Sequence, residues 1–208
     1  MIEQCLNELK LITSNSYEKY TKEEVNNFES TMQIKFPIAL KEYYSIIGKS
    51  RNHLSFLPFE DIEIIDDIMT FFKDEDSIFG IKLDNKEKED PPVYQRFLTE
   101  DTGRWYCEGK CSYFILNFIA LEIVYSLPYM TKVRISRNRF SELIEKKLIK
   151  INKNALSEIF TDEHRKVLVV FINRCTPTLY IASHNKSYIT NIVENTGIKI
   201  NIKENSNT

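Results

Sequence analysis

Apolar residues recur at helical spacing from the start of the chain. Ile2, Cys5, Leu6, Leu9 and Ile12 predict an amphipathic helix. Thr21-Lys22-Glu23-Glu24 has the form of a capping box, in which the threonine and the glutamate satisfy each other's backbone amides. Val25, Phe28 and Met32 then mark one apolar face. Pro37 suits the first turn of a third helix, where its missing N–H costs nothing. Leu40, Tyr43, Tyr44 and Ile47 follow at i, i+3, i+4 and i+7, and Gly48 fits the left-handed residue that ends a helix.

From Leu54 the period shortens. Leu54–Leu57, Ile62–Ile65 and Ile78–Leu83 read as strands, with a short helix over Asp66–Phe72 capped by Asp66. Residues 84–92 form a charged loop. Pro92–Phe97 and Arg104–Cys107 are two further strands, and Ser112 caps an apolar helix that runs to Tyr125 and closes at Pro128. Beyond it come a strand at Val133–Ser136 and a helix carrying Phe140, Leu143, Ile144 and Leu148. Val167–Ile172 and Thr178–Ala182 predict a hairpin. A helix at Ser187–Asn195 stops at Gly197, and Ile198–Ile202 is a last strand. Strands in runs, with no regular βα alternation, predict an α+β fold with a mixed, largely antiparallel sheet packed by helices. Residues 1–128 form the main domain, and residues 129–208 are a C-terminal β-β-α-β extension or a continuation of it.

Composition agrees with a packed domain: 208 residues, 42% hydrophobic and 28% charged, are enough to bury a core. The N-terminus lacks the basic-then-apolar order of a signal peptide. The most apolar stretch, Tyr113–Tyr125, is too short for a bilayer and contains Asn117 and Glu122. Four cysteines (5, 107, 111 and 175) without a secretion signal imply reduced thiols and a cytoplasmic protein with no membrane partner. Charge is unevenly placed. Glu60–Asp90 carries twelve acids against four bases, whereas residues 91–208 carry eleven acids against seventeen bases. An acidic segment is either a solvated face or a patch that steers a basic partner.

Reactive chemistry is sparse. The five glycines are scattered, so there is no phosphate loop, and His53, His164 and His184 stand alone. Catalytic triads meet in space, so a nucleophile need not show in the spacing, but none is marked. Cys107-x3-Cys111 has no second pair to complete a zinc site. Asp74, Glu75 and Asp76 are consecutive and lack the glycine and alternation of a calcium loop. The basic stretch Lys132, Arg134, Arg137, Arg139, Lys146, Lys147, Lys150 and Lys153 has the sign to meet phosphates, but Glu142 and Glu145 interrupt it. Trp105, the only tryptophan, is either a core residue or an interface anchor. The expectation is a protein-binding chain without catalytic activity, metal or cofactor.

The segment from Thr21-Lys-Glu-Glu-Val-Asn-Asn-Phe-Glu through Ile34-Lys-Phe-Pro37 and Leu40-Lys-Glu-Tyr43-Tyr44 to Gly48 resembles the opening of the SUKH superfamily. The likeness lies in a capped helix ending in the Phe28-Glu29 pair, a turn before Pro37, and an aromatic helix with a glycine near its end. Residues 66–80, Asp90-Pro91-Pro92-Val93-Tyr94, and Trp105 with the aromatic-rich helix from Ser112 also look similar, so the resemblance covers roughly the first 125 residues. Ile47-Gly48 replaces the usual Asn-Gly, and residues after 128 have no counterpart. The resemblance implies a curved sheet packed by helices and no general catalytic activity. Many bacterial members look like immunity proteins that bind and block a toxin; fungal members regulate cell-wall assembly as interaction hubs. The small, lysine- and asparagine-rich chain leans to the bacterial case. A cognate toxin that is a nuclease would be basic, and Asp66, Asp67, Asp74, Glu75 and Asp76 supply the opposite charge, with Trp105 as anchor. The alternatives are a general interaction or regulatory module of the same fold, then a nucleic-acid-binding protein, then an uncharacterised enzyme.

Overall fold

A computed structural model describes residues 2–13, 18–48, 55–85, 89–100, 102–153, 157–173 and 176–205. The chain divides into two compact units, one of Met1–Asn7 with Ser16–Leu116 and the other of Glu8–Asn15 with Asn117–Thr208. Each has one antiparallel sheet and its own helices, so the class is α+β.

In the first unit α1 (Glu3–Thr13) begins, followed by α2 (Lys22–Met32) and α3 (Ile38–Ile46). The capping box forms: Glu24 N–H donates to Thr21 Oγ1 at 3.1 Å, and Thr21 N–H donates to Glu24 Oε2 at 2.7 Å. The buried stripe of α2 is not the apolar one expected. Val25 and Glu29 are buried, while Phe28 is half-buried and stacks on Phe36 and Phe59. Glu29 Oε1 accepts from Phe36 N–H at 2.6 Å, and Lys41 Nζ lies 3.0 Å from Oε1 and 3.1 Å from Oε2. A proline constrains the residue before it to extended backbone, which leaves the Phe36 amide outside any helix ladder. The Glu29 carboxylate supplies its acceptor. Pro37 starts α3, its carbonyl accepting from Leu40 and Lys41 N–H. Glu42, on α3, accepts from the Ile2 and Glu3 amides and so caps α1.

Gly48 is not left-handed, contrary to expectation. Its backbone lies against α3, and a Cβ there would meet Tyr44 Cα at 2.5 Å. Its need is for space, not for φ. The left-handed cap belongs instead to Gln33, at the end of α2 with φ 53°.

The sheet is a meander of β1 (Ile64–Ile65), β2 (Ile68–Lys73), β3 (Ser77–Lys82), β4 (Pro92–Phe97) and β5 (Tyr106–Lys110), each paired with the next. The helix expected over Asp66–Phe72 is therefore a strand. Asp66 (φ 52°) and Asp67 (φ 60°) form the two-residue β1–β2 turn, and positive φ at both positions matches a hairpin turn whose twist fits the strands. Phe56 makes only an isolated bridge to Phe72, and Leu54 lies outside the described residues. Aromatic rings fill the core: Phe36–Tyr44, Tyr43–Tyr44, Tyr43–Phe56, Phe56–Phe72, Phe72–Phe79 and Phe79–Phe114 form a continuous chain of contacts. Phe114 comes from α4 (Cys111–Ser126). Ser112 is inside that helix rather than its cap; Asp90 accepts from Ser112 N–H at 2.8 Å and from its hydroxyl at 2.7 Å.

The second unit is larger than the β-β-α-β extension expected. Its elements are β6 (Tyr129–Arg134), α5 (Arg137–Leu143), β7 (Ile149–Lys153), β8 (Ser157–Thr161), β9 (Val167–Ile172), β10 (Thr178–Ser183), α6 (Lys186–Val193) and β11 (Lys203–Glu204), giving a sheet in the order β11-β6-β10-β9-β8-β7. The β9–β10 hairpin is present as expected. Phe160, Val169, Phe171, Leu179 and Ile181 form a core with Phe140 and Ile144 of the α5 region and Ile189 and Ile192 of α6. The Phe140 and Phe171 rings stack with centroids 4.7 Å apart. Ile198, Ile200 and Ile202 pack on this core without joining the ladder, so the last strand lies one residue beyond the stretch expected. Arg165 ties Glu8 to this unit through bonds of 2.6 and 3.2 Å.

All four sheet edges are blunted. β1 and β11 are two residues long; β5 and β7 each oppose their neighbours across a bulge, with Gly109 at φ 119° in β5 and Lys150 and Lys153 on β7. Short, bulged or lysine-bearing edges resist pairing with another chain.

Replacing Glu29 with alanine orphans the Phe36 amide and leaves Lys41 beside an apolar site. The expected loss is about 2–3 kcal/mol in urea unfolding. Glu29→Gln keeps an acceptor for the amide and is expected to lose less; equal losses would show that hydrogen bonding at Phe36 is not what matters.

Candidate functional site

The hairpin turn places Asp66 and Asp67 on the surface, and both are exposed. At the other end of β2, Asp74, Glu75 and Asp76 make the β2–β3 turn. Asp74 Oδ1 accepts from the Asp76 amide at 3.0 Å, Asp74 is half-buried, and Glu75 and Asp76 are exposed. One sequence block thus becomes two acidic turns separated by a six-residue strand, about 20 Å at the usual strand rise.

Both turns reach the β4–β5 hairpin. Asp66 Oδ2 accepts from Arg96 at 3.3 Å and from the Trp105 indole N–H at 3.4 Å, and the Asp76 carbonyl accepts from Leu98 N–H at 2.7 Å. The register explains the first contact. Phe72, Phe79, Gln95 and Tyr106 are opposite one another across the strands, on the face of the sheet that bears Phe114 contacts. Arg96 and Trp105 are the chain neighbours of Gln95 and Tyr106, so alternation turns them to the other face. That face also carries Tyr94 and Cys107, with Lys82 Nζ 4.8 Å above the Tyr94 ring. Trp105 is half-buried; it is not one of the core rings of this unit.

The residues of the family-like pattern are mostly internal. Tyr43 and Tyr44 are fully buried, and the Tyr44 hydroxyl donates to Leu57 carbonyl at 2.8 Å while burial pushes its pKa well up. Pro37 is buried at the head of α3, Gly48 packs on Tyr44, and Phe28 is half-buried in the aromatic stack. Pro91 is buried and its carbonyl accepts from Cys111 N–H; Pro92 opens β4 opposite Lys110, and Tyr94 is half-buried. Of these positions Pro92 and Tyr94 belong to the sheet, while Phe28, Pro37, Tyr43, Tyr44 and Gly48 belong to α2, α3 and the segments beside them. Sequence spacing does not mark Arg96, an isolated cation 30 residues from its partner.

Much of the basic stretch is engaged within the second unit. Arg137 grips Glu145 at 2.8 and 3.1 Å and Glu158 at 3.0 Å; Lys150 bridges the same two acids at 3.1 and 3.0 Å. Lys147 Nζ donates to the carbonyls of Ile192 and Glu194 at the C-terminal end of α6, where a cation is favoured. Lys132 sits 5.3 Å from the Tyr180 ring. Arg134 closes β6, whereas Arg137 and Arg139 lie on α5, so the three do not share one strand face.

Cys111 is buried and its thiol is pushed well up, first by burial and then by the Asp90 charge; Cys107 is exposed. Cys175 and His53 lie outside the described residues. His164 is exposed, 3.2 Å from Glu163. Among the described residues no three histidine, cysteine or carboxylate side chains are grouped to hold a metal ion, and no helix is long and apolar enough to cross a membrane. Comparison with family models, with curated proteins and with solved structures returned no match.

Glu145 gives a pH signature. Its bond with Arg137 holds the carboxyl at about 2, helped by Ser141 and Lys150 and opposed by burial. An unfolded glutamate titrates near about 4.3, so this contribution is complete above that value and lost as pH falls towards 2. Urea midpoints are expected to drop across that window more steeply in the native chain than in Glu145→Gln. Parallel curves would show that the network carries no pH-dependent stability.

Proposed function

We propose that this chain is an immunity-type protein that binds and blocks a basic protein toxin, a nuclease being the class its charge suits. The observation that carries this reading is the convergence of both acidic turns on the β4–β5 hairpin, where Asp66 meets Arg96 and Trp105. An acidic face beside a half-buried tryptophan combines long-range steering with a rigid aromatic contact. A nuclease must be basic where it holds nucleic acid, so an inhibitor of opposite sign gains association rate. The resemblance of residues 21–48 and 90–94 to the SUKH superfamily supports the same role, since many of its bacterial members look like immunity proteins. The reading needs no catalytic group, metal or cofactor, and it places the protein in the cytoplasm with its target.

The second reading, a general interaction module of the same fold, uses the same face with several partners. Nucleic-acid binding ranks below both, because Arg137, Lys147 and Lys150 are engaged within the second unit.

Deleting the gene from its host tests the proposal. The expected outcome is growth arrest, with suppressors that inactivate one other reading frame, encoding a basic protein. A native copy should restore growth, whereas one carrying Asp66, Asp67, Asp74, Glu75 and Asp76 all changed to lysine should fail while folding normally by circular dichroism. Unimpaired growth of the deletion strain, alone and in competition with its parent, would contradict the immunity role.

A further inference from the structure

The large exposed apolar side chains of the described residues are mostly scattered: Leu11, Ile38, Ile64, Tyr125, Ile149 and Tyr188 each stand apart in sequence and element. Scattered residues of this kind need no functional explanation. Leu98 and Tyr106 differ. They lie at one end of the β4–β5 hairpin, just after β4 and at the start of β5, 48% and 39% exposed, with half-buried Phe97 and Trp105 beside them. The Phe97 and Tyr106 rings are 5.9 Å apart, and Trp105, the residue before Tyr106, bonds to Asp66. The Tyr106 hydroxyl donates to Glu100 at 3.1 Å, which orients the ring without burying it.

We propose that this hairpin end, formed by Phe97, Leu98, Trp105 and Tyr106, is the anchor by which the first unit grips its partner. The partner is a basic protein surface on which arginine or lysine side chains flank apolar ones. This rests on the protein-binding reading above and names its contact surface. Charge selects the occupant. Acidic side chains meet the tip at Asp66 and Glu100, the Asp74–Asp76 turn bonds to it through Leu98 N–H, and of the cations on the same strands Arg96 is already paired with Asp66 and Lys82 lies over the Tyr94 ring. The mode is contact with the hairpin end and not strand addition. The adjacent edge, β5, is interrupted by its bulge and by Gly109, so an incoming strand would find no regular ladder. Aromatic side chains ringed by charge are the residues that carry most binding energy in protein interfaces.

Site-specific photo-crosslinking in the native host tests this with the full chain. The photoreactive residue p-benzoylphenylalanine replaces Leu98 in one strain and Ile149, in the second unit, in another. Both positions are exposed, so the chain is expected to fold with either. The expected result is an adduct at Leu98 to one protein of basic composition, identified by mass spectrometry and absent at Ile149. Adding Tyr106→Ala should cut the yield about tenfold, and adding Glu75→Lys with Asp76→Lys should reduce it further. An adduct at Ile149 without one at Leu98 would overturn the anchor and leave the protein-binding reading standing. An adduct at Leu98 to an acidic protein would overturn the stated partner chemistry. No adduct at either position, in cells where the chain is expressed and folded, would overturn both the anchor and the reading beneath it.

Discussion

The helical layer of the first unit depends on one buried carboxylate. Glu29 sits where the spacing of α2 calls for an apolar side chain, and it is tolerated there because its oxygens are satisfied by the Phe36 amide and the Lys41 ammonium. That bond fixes the extended segment before Pro37 and so the point at which α3 begins. From α3 come Tyr43 and Tyr44, which start the chain of rings running through Phe56 and Phe72 to Phe114. Glu42 on the same helix caps α1. The Glu29 contacts therefore fix how α2 meets α3 against an aromatic core, and Glu42 adds α1 to the same layer. A buried charge is costly without partners and specific with them, so this contact favours one arrangement of the layer over its neighbours.

The second unit solves a similar problem with more charges. Arg137, Lys150, Glu145 and Glu158 neutralise one another beside Phe140, Phe160 and Phe171, with the Arg137 guanidinium 5.4 Å from the Phe140 ring. In one dimension these residues look like a basic tract. In three they are a network that joins α5, β7 and β8. The acidic residues of the first unit have the reverse fate. A continuous block becomes two exposed turns, and among the described residues Asp66 alone of its five candidate positions is held by an ion pair with a distant cation.

Local signals were legible where one residue type has one physical use. The capping box at Thr21 and Glu24, Pro37 at the start of α3 and the apolar β9–β10 hairpin all form as read. The α+β class and antiparallel pairing followed from them. Readings failed where a residue serves two ends. Aspartate caps helices and also tolerates positive φ, so Asp66-Asp67 could not be separated into helix cap or hairpin turn without the pairing of Ile65 with Ile68. β7 and β8 were invisible because Ile-Lys-Ile-Asn-Lys and Ser-Glu-Ile-Phe-Thr are short and polar, and become strands through their neighbours. Gly48 was read for its φ when its use is the close approach to Tyr44. The acidic residues and Trp105 could be named as candidates, but Arg96 and the hairpin end depend on strand register, which sequence spacing does not carry.

Under the proposed function the acidic, aromatic face selects a basic partner protein. A tagged copy purified from its native host, with bound material identified and quantified by mass spectrometry, addresses that most directly. The expected result is one protein in equal amount, of basic composition, whose retention falls as salt in the wash rises. Recovery of nucleic acid without a stoichiometric protein, or of no partner from cells that express the chain, would contradict it.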